Sequence, residues 1–277
     1  MLDIDLSQTG TLVMGILNVT PDSFSDGGKF DSRERAIERA IEIESEGAHL
    51  LDIGGESSRP GSEAVPLAEE LRRVIPLIES LQGKLKIPIS IDTTKSEVAR
   101  QALEAGASLI NDISAFHFEP EIAGVTARYG AWCCLMHMQG EPRTMQQNPE
   151  YGNVLEEVKD FLLEAARKAR EAGIPKEKII LDPGIGFGKS LEHNLILQAR
   201  LDELVSMGYP ILMGVSRKSF IGKSLGLPVE ERLAASIAAG VLAAWNGAKI
   251  VRVHDVKETV HAMGMVDRIR DYRGRQC

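Results

Sequence analysis

The sequence is poor in cysteine and in aromatic residues, and it contains no long apolar run. Its 277 residues include three cysteines, and aromatic residues make up 5% of the chain. Cys133 and Cys134 are adjacent on an apolar segment and Cys277 is the last residue, so we expect free thiols rather than a disulfide framework. No stretch is apolar for long enough to span a bilayer, and the opening residues MLDIDLSQTG lack the pattern of a secretory signal. These absences predict a cytoplasmic protein.

Positive charge is also in deficit. Lysine and arginine number 32 against 40 aspartates and glutamates, which gives a net charge of −8 at pH 7. Because a negative overall field disfavours nucleic acid and anionic membranes, we expect small molecules as partners. An anionic substrate would need a local cluster of basic residues to overcome that field.

Short apolar segments alternate with amphipathic ones along the chain. The predicted strands are Thr11–Val19, His49–Gly54, Pro88–Asp92, Ser108–Ile113, Ala131–His137, Ile179–Asp182, Pro210–Ser216 and Ile250–His254. Helical spacing of apolar residues covers Ser32–Glu46, Leu67–Leu81, Ser96–Ala105 and Val154–Ala172. Eight such units at intervals of about 34 residues predict an α/β fold, a (β/α)8 TIM barrel with parallel strands inside and helices outside. We predict a single domain over residues 1–277, with Met1–Ser7 forming a short strand or hairpin at the barrel bottom.

The most informative stretch is IILDPGIGFGK, which spans Ile179–Lys189. An apolar run ends at Asp182, and Pro183 prevents it from continuing as a regular strand or helix. The glycines that follow let a ligand approach the backbone closely. Taken alone, Asp182 could equally be the cap of a strand-to-helix turn.

Other predicted strands also end in polar residues. These are Asn18, Asp52 with Glu56, Asp92, Asn111 with Asp112, His137, Ser216, Arg252, His254 and Asp255. The active site of such a barrel lies at the carboxyl ends of its strands, so these side chains should converge on one mouth. Carboxylates and amides grouped in this way suit a planar heterocycle with a guanidine-like edge.

Three loops add to this pattern. NVTPDSFSDGG after the first strand is long enough to act as a lid, and GGESSRPGSEAVP after the second is also rich in glycine and proline. In SRKSFIGKS, Arg217, Lys218 and Ser219 open the helix after the seventh strand. Backbone N–H groups at a helix start attract anions, so a carboxylate or phosphate group could bind there.

The motifs MGILNVTPDSFSDGG, DIGGESSRPG, SIDT, NDIS, MHMQGEPRTMQ, LDPGIGFGK, GVSRKSFIG and RVHDV occur in this order. In order and spacing they resemble the motifs of the dihydropteroate synthase family, over about Leu12 to Val256. One departure is Ser58, where the family commonly has threonine. The resemblance implies a folate-pathway transferase that joins p-aminobenzoate to 6-hydroxymethyl-7,8-dihydropterin pyrophosphate, with magnesium.

The resemblance also implies roles for individual residues. Asp92, Asn111, Asp182, Lys218 and Arg252 would hold the pterin, and Asn18 would bind magnesium and, with Arg252 and His254, the pyrophosphate. Ser58, Arg59, Phe187, Lys218 and Ser219 would border the p-aminobenzoate pocket, while Thr20, Asp22, Ser23 and Phe24 belong to a covering loop. We assign the catalytic role to Asp92, Asp182, Lys218, Arg252 and Asn18.

Two alternative functions share this barrel. A methyltetrahydrofolate-dependent methyltransferase would keep the pterin-recognising residues but would not need Arg252 beside His254. A non-catalytic pterin-binding paralogue would be expected to have lost Asn18 or the covering-loop residues, and they are present. We predict no covalent nucleophile, because the adjacent cysteines lie within a strand.

The segment LAASIAAGVLAAW, residues Leu233–Trp245, is apolar on nearly every face. An outer barrel helix normally keeps one polar face towards water. We therefore expect a homodimer whose interface includes this helix.

Overall fold

The computed structural model describes residues 2–7, 10–19, 29–57 and 61–273. Its core is one sheet of eight parallel strands in the order β6-β5-β4-β3-β2-β1-β8-β7. The strands are β1 Leu12–Asn18, β2 Leu50–Gly54, β3 Ile89–Asp92, β4 Leu109–Asp112, β5 Trp132–Met136, β6 Ile179–Asp182, β7 Leu212–Met213 and β8 Ile250–Val253. A parallel bridge between Leu181 and Ile211 joins β6 to the chain just before β7 and closes the sheet. The predicted (β/α)8 barrel is confirmed.

Helices cover the outside of this barrel. They are α1 Lys29–Ser45, α2 Leu67–Leu81, α3 Ser96–Glu104, α4 Glu121–Tyr129, α5 Val154–Glu171, α6 Leu191–Ala199, α7 Leu201–Val205, α8 Ser219–Leu225, α9 Leu233–Trp245 and α10 Val256–Arg273. The four predicted helices are present with small shifts at their ends. Among the helices of the described ranges, none has both the length and the apolar character needed to cross a membrane.

The largest difference from the predicted strands is at β7. The apolar pattern predicts a strand over Pro210–Ser216, and the ladder of β7 covers Leu212–Met213. The ladder ends at Met213, and a turn follows at residues 216–217, where Arg217 adopts a left-handed backbone conformation with φ of 55°. This turn brings the next residues over the mouth of the barrel.

Successive side chains along each strand point alternately into the barrel interior and towards the layer beneath the helices. On β2, Leu51 and Ile53 pack under the helices, whereas Leu50 lies in the inner cluster. Since side chains alternate with a period of two, Asp52 shares the inward face with Leu50, one layer higher. The same alternation holds on three other strands. There the inner cluster contains Ile180, Ile250 and Leu109, and the residues two positions further along are Asp182, Arg252 and Asn111. Apolar residues therefore fill the lower barrel, and polar residues line its mouth.

The first residues of the chain close the lower end of the barrel. Ile4 is buried in the inner cluster, and the indole N–H of Trp132 donates to Asp3 Oδ1 at 2.9 Å. The position is as predicted, but residues 2–5 have no regular secondary structure and residues 6–7 form a turn, where a strand or hairpin is expected.

Candidate active site

A hydrogen-bonded chain of side chains crosses the mouth of the barrel. Arg252 of β8 donates from Nε to Asp52 Oδ2 at 2.6 Å and from Nη2 to Asp92 Oδ2 at 2.9 Å. Asn111 of β4 donates to the same oxygen of Asp52 at 3.1 Å. Barrel closure thus brings together four inward residues from strands β2, β3, β4 and β8.

The electrostatics of this chain follow from burial and pairing. Burial raises the pKa of Asp92 to about 7, with Arg252 opposing the rise and Asp52 adding to it. Burial also opposes the charge of Arg252, but the two carboxylates outweigh that effect and raise the pKa of its guanidinium. Arg252 therefore remains a cation held between two buried carboxyl groups.

Asp182 faces the same mouth from the end of β6. Its Oδ1 accepts a hydrogen bond from the backbone N–H of Gly184 at 2.7 Å, and burial raises the pKa of this carboxyl group. Gly184 has a φ of 69°, and a Cβ there would lie 1.9 Å from the carbonyl oxygen of His137. The position thus requires glycine, and its tight turn orients the Asp182 carboxylate.

Lys218 and Phe187 form one wall of the site. The Lys218 amine donates to the carbonyl of Ile185 at 2.6 Å and lies 4.1 Å from the centroid of the Phe187 ring. Burial lowers the pKa of Lys218 to about 8, with the charge of Asp182 opposing this decrease. The ring packs with Ile113 and other apolar residues, so this wall is aromatic with a cation on it.

Two further predicted residues lie on the rim. Asn18 ends β1 opposite Gly54, where an added Cβ would lie 3.5 Å from Asn18 Oδ1 and 3.6 Å from the Cβ of Asp92. The backbone N–H of His254 donates to Ser216 Oγ at 3.2 Å, and the His254 Nδ1 atom lies 3.1 Å from the same oxygen. Asn18 is thereby close to Asp92, and Ser216 fixes the His254 ring beside β8.

The predicted anion site at the start of α8 is only partly supported. Arg217 forms a bidentate ion pair with Asp255, at 2.8 and 2.7 Å, so its guanidinium is engaged away from an incoming anion. Ser219 is exposed at the first position of α8. The cation that this turn directs towards the site is therefore Lys218.

Some predicted site residues fall outside the described ranges. They are Thr20, Asp22, Ser23 and Phe24 of the covering loop, together with Ser58 and Arg59 of the second loop.

Two residues of the site, Asp52 and Lys189, have no role among the sequence-based predictions. Asp52 is predicted as a strand-end residue without a role, although it lies in the middle of β2 on the inward face and accepts a hydrogen bond from Arg252 as Asp92 does. Lys189 belongs to the glycine-rich motif, yet nothing in its sequence context separates a buried lysine from a solvated one. Its side chain is buried, and its amine donates to the carbonyl oxygen of Phe187.

A parallel barrel whose mouth holds buried carboxylates, an amide and a cation beside an aromatic wall defines an enzyme that binds a flat, hydrogen-bonding heterocycle. The model of the family described as "Pterin binding enzyme" matches residues 14–254. Dihydropteroate synthase of Synechocystis sp. is 52% identical over 262 residues, which cover 94% of this chain and 89% of that protein.

Solved structures agree with this relationship. Yersinia pestis dihydropteroate synthase with a sulfonamide drug complex matches with a TM-score of 0.91 at 47% identity, covering 98% of this chain and 97% of that chain. The Xanthomonas albilineans enzyme in complex with 7,8-dihydropteroate matches with a TM-score of 0.86 at 43% identity, covering 98% and 96%. The chain belongs to the dihydropteroate synthase family, whose members are transferases of folate biosynthesis. The family resemblance of its motifs is thereby confirmed.

Proposed function

We propose that this chain condenses 6-hydroxymethyl-7,8-dihydropterin pyrophosphate with p-aminobenzoate to give 7,8-dihydropteroate and pyrophosphate. The observation that carries the proposal is the placement of two buried carboxyl groups, Asp92 and Asp182, beside the cations Arg252 and Lys218. This combination suits a substrate that becomes positively charged at one end while it releases an anion at the other.

The pterin binds by its hydrogen-bonding edge. A pterin presents ring N–H and amino donors on one side, and an ionised carboxylate can accept two of them in parallel. Asp182 is oriented for this by Gly184, while Asn111 and Asp92 contribute polar groups from the adjacent strands β4 and β3. The flat face of the ring fits against the aromatic wall formed by Phe187.

The reaction is a substitution at the exocyclic carbon of the pterin. The bond from this carbon to the pyrophosphate oxygen breaks, the amine nitrogen of p-aminobenzoate forms the new bond, and that nitrogen then loses a proton to solvent. Asp92 and Asp182 stabilise the positive charge that develops on the pterin side, while Arg252 and His254 stabilise the leaving group. A strong general base is not required, because a neutral arylamine is already nucleophilic.

We propose Mg²⁺ as the cofactor, with Asn18 as its protein ligand. Within the described ranges, no three His, Cys, Asp or Glu side chains are grouped as a metal site. Mg²⁺ commonly keeps several waters and binds through one or two protein oxygens and substrate phosphates, so a single amide oxygen at the rim fits. When bound with pyrophosphate, the ion would neutralise part of the leaving group's charge.

We propose that p-aminobenzoate binds between Phe187 and the start of α8. The Lys218 amine and the exposed Ser219 hydroxyl are suitable for its carboxylate, since backbone N–H groups also lie at this position. Ser58 and Arg59 are predicted to complete the pocket from the second loop.

The test of the reaction is a coupled assay for pyrophosphate with and without p-aminobenzoate. We expect pyrophosphate release to depend on p-aminobenzoate and on Mg²⁺, and to be accompanied by dihydropteroate. Methyl transfer from methyltetrahydrofolate without pyrophosphate release would support the methyltransferase instead. Pterin binding without any turnover would indicate a non-catalytic paralogue.

We propose a homodimer through α9 and α10, which pack side by side on the barrel. Their outer faces expose Leu242 at 55%, Met265 at 60% and Ile269 at 46%. Grouped apolar residues of this kind on a surface commonly mark a protein interface, and a twofold dimer buries the same patch from both copies.

Charge placed on this patch should separate the dimer. We expect Leu242→Glu with Met265→Glu to sediment as a monomer at micromolar concentration, whereas the unmodified chain sediments as a dimer. Leu163→Glu is the matched control, because Leu163 is similarly exposed, at 41%, on α5 beside β5 and β6. A monomeric unmodified chain would refute the dimer.

We propose a cytoplasmic location on the basis of the thiols. Cys133 and Cys134 are free and fully buried on β5, and burial raises the pKa of both thiols above its ordinary value. Free thiols kept in the core are typical of proteins from a reducing compartment.

A further inference from the structure

Lys189 is the largest fully buried side chain in the described part of the protein, with 2% of its surface exposed. Its amine donates to His137 Nδ1 at 2.8 Å and to the carbonyl oxygen of Phe187 at 3.0 Å, and it lies 3.4 Å from the carbonyl of His137. Among the described residues no carboxylate forms an ion pair with it. Burying an amine is costly unless hydrogen bonds compensate, so these three acceptors account for its position.

The loop between β6 and α6 is held by side chains at four successive carbonyl groups. Lys218 donates to the carbonyl of Ile185, and Gln146 donates to the carbonyl of Gly186 at 2.5 Å. Lys189 donates to the carbonyl of Phe187, and Tyr151 donates to the carbonyl of Gly188 at 2.7 Å. Of these donors, Lys189 is the one that holds the backbone of Phe187 itself. A flexible glycine-rich segment is thereby fixed in a single conformation.

Close packing explains why the hydrogen bond from Lys189 to the Phe187 carbonyl controls the position of the Phe187 ring. A Cβ on Gly188 would lie 2.3 Å from the carbonyl oxygen of Gln139, so the loop touches the chain that follows β5. The Lys189 amine joins the same two segments, because it binds both Phe187 and His137. The Phe187 ring in turn lies under the Lys218 amine at 4.1 Å. A shift of the Phe187 backbone would therefore move the aromatic wall of the site.

We propose that Lys189 is a positioning residue for the arylamine substrate, because it fixes Phe187 and so sets the wall against which p-aminobenzoate binds. The inference rests on the proposed function. Asp182, by contrast, is oriented by the backbone N–H of Gly184, and the charge of Lys189 affects the pKa of Asp182 less than burial or this hydrogen bond does, so we expect pterin recognition to depend little on the Lys189 amine. Loss of this amine should weaken the second substrate far more than the first.

The experiment compares three variants of the full-length protein. Lys189→Met keeps the length of the side chain but removes its donor, Lys189→Gln keeps an N–H donor, and Tyr151→Phe removes the hydrogen bond to the adjacent carbonyl. For each, the KM of p-aminobenzoate, kcat and the Kd of a pterin analogue by calorimetry are measured. For Lys189→Met we expect about a tenfold increase in the KM of p-aminobenzoate, as for the loss of the one hydrogen bond that holds the Phe187 carbonyl. The Kd of the pterin analogue should stay within about twofold of its unmodified value.

The other two variants decide between positioning and general loop stability. Lys189→Gln should recover part of the lost affinity, and Tyr151→Phe should leave the KM of p-aminobenzoate nearly unchanged. Equal losses for both substrates, or an equal effect from Tyr151→Phe, would overturn the proposal, as would failure of both Lys189 variants to fold. Absence of turnover in the unmodified chain would instead refute the proposed function. In that case, titration with a sulfonamide would still compare the binding affinities of the variants.

Discussion

Replacing Arg252 with alanine should lower turnover about 10²- to 10³-fold, as expected when a preorganised charge is removed from an active site. The guanidinium is the shared partner of Asp52 and Asp92, and it faces the leaving group in the proposed reaction. Its loss removes the stabilisation of pyrophosphate and leaves two buried carboxyl groups without their cation. The measurement is kcat at saturating p-aminobenzoate.

The same substitution should also destabilise the fold, by about 3–5 kcal/mol, because breaking a buried ion pair leaves charge uncompensated. Denaturant unfolding measures this effect separately from turnover. Arg252→Lys is the matched control: it keeps a positive charge, but a single ammonium group cannot reproduce the guanidinium geometry that spans both carboxylates. We expect Arg252→Lys to restore a larger fraction of the lost stability than of the lost turnover. Full turnover in a folded Arg252→Ala variant would make the residue purely structural.

Replacing Asp182 with asparagine should cost about 2–5 kcal/mol of pterin binding, because a charge-assisted acceptor becomes an amide with an N–H₂ group of its own. The remaining amide oxygen can still accept the hydrogen bond from Gly184, so the turn should persist. The N–H donors of the pterin would then face the N–H₂ group of the new amide, which is also a donor. Calorimetry with a pterin analogue gives the change in Kd directly.

Thermal unfolding of the same variant checks that the barrel is intact. Burial raises the pKa of Asp182, so removing its charge should not weaken folding and should even relieve a desolvation cost. A folded Asp182→Asn variant with unchanged affinity for the pterin analogue would show that Asp182 does not contact the pterin.

The site could be predicted in part because a polar residue near the end of a strand can be recognised from the sequence of that strand alone. Asp92, Asn111, Asp182 and Arg252 all lie on inward positions near strand ends, where the period of two along a barrel strand places them. The pairing of these residues could not be predicted. Arg252 and Asp52 are 200 positions apart in the chain, and sequence spacing gives no information about which carboxyl group a cation on another strand will reach.

Local patterning within the sequence by itself determined the barrel, the ends of most strands and the polar character of the mouth, because alternation and helical spacing act over a few residues. The tertiary structure alone decided that Arg217 pairs with Asp255, that Arg252 joins Asp52 to Asp92, and that Lys189 is buried. A lysine or arginine has a long, flexible side chain that can reach solvent, a carboxylate or a carbonyl. Its choice depends on which groups barrel closure brings within hydrogen-bonding distance, and that is a property of the assembled fold.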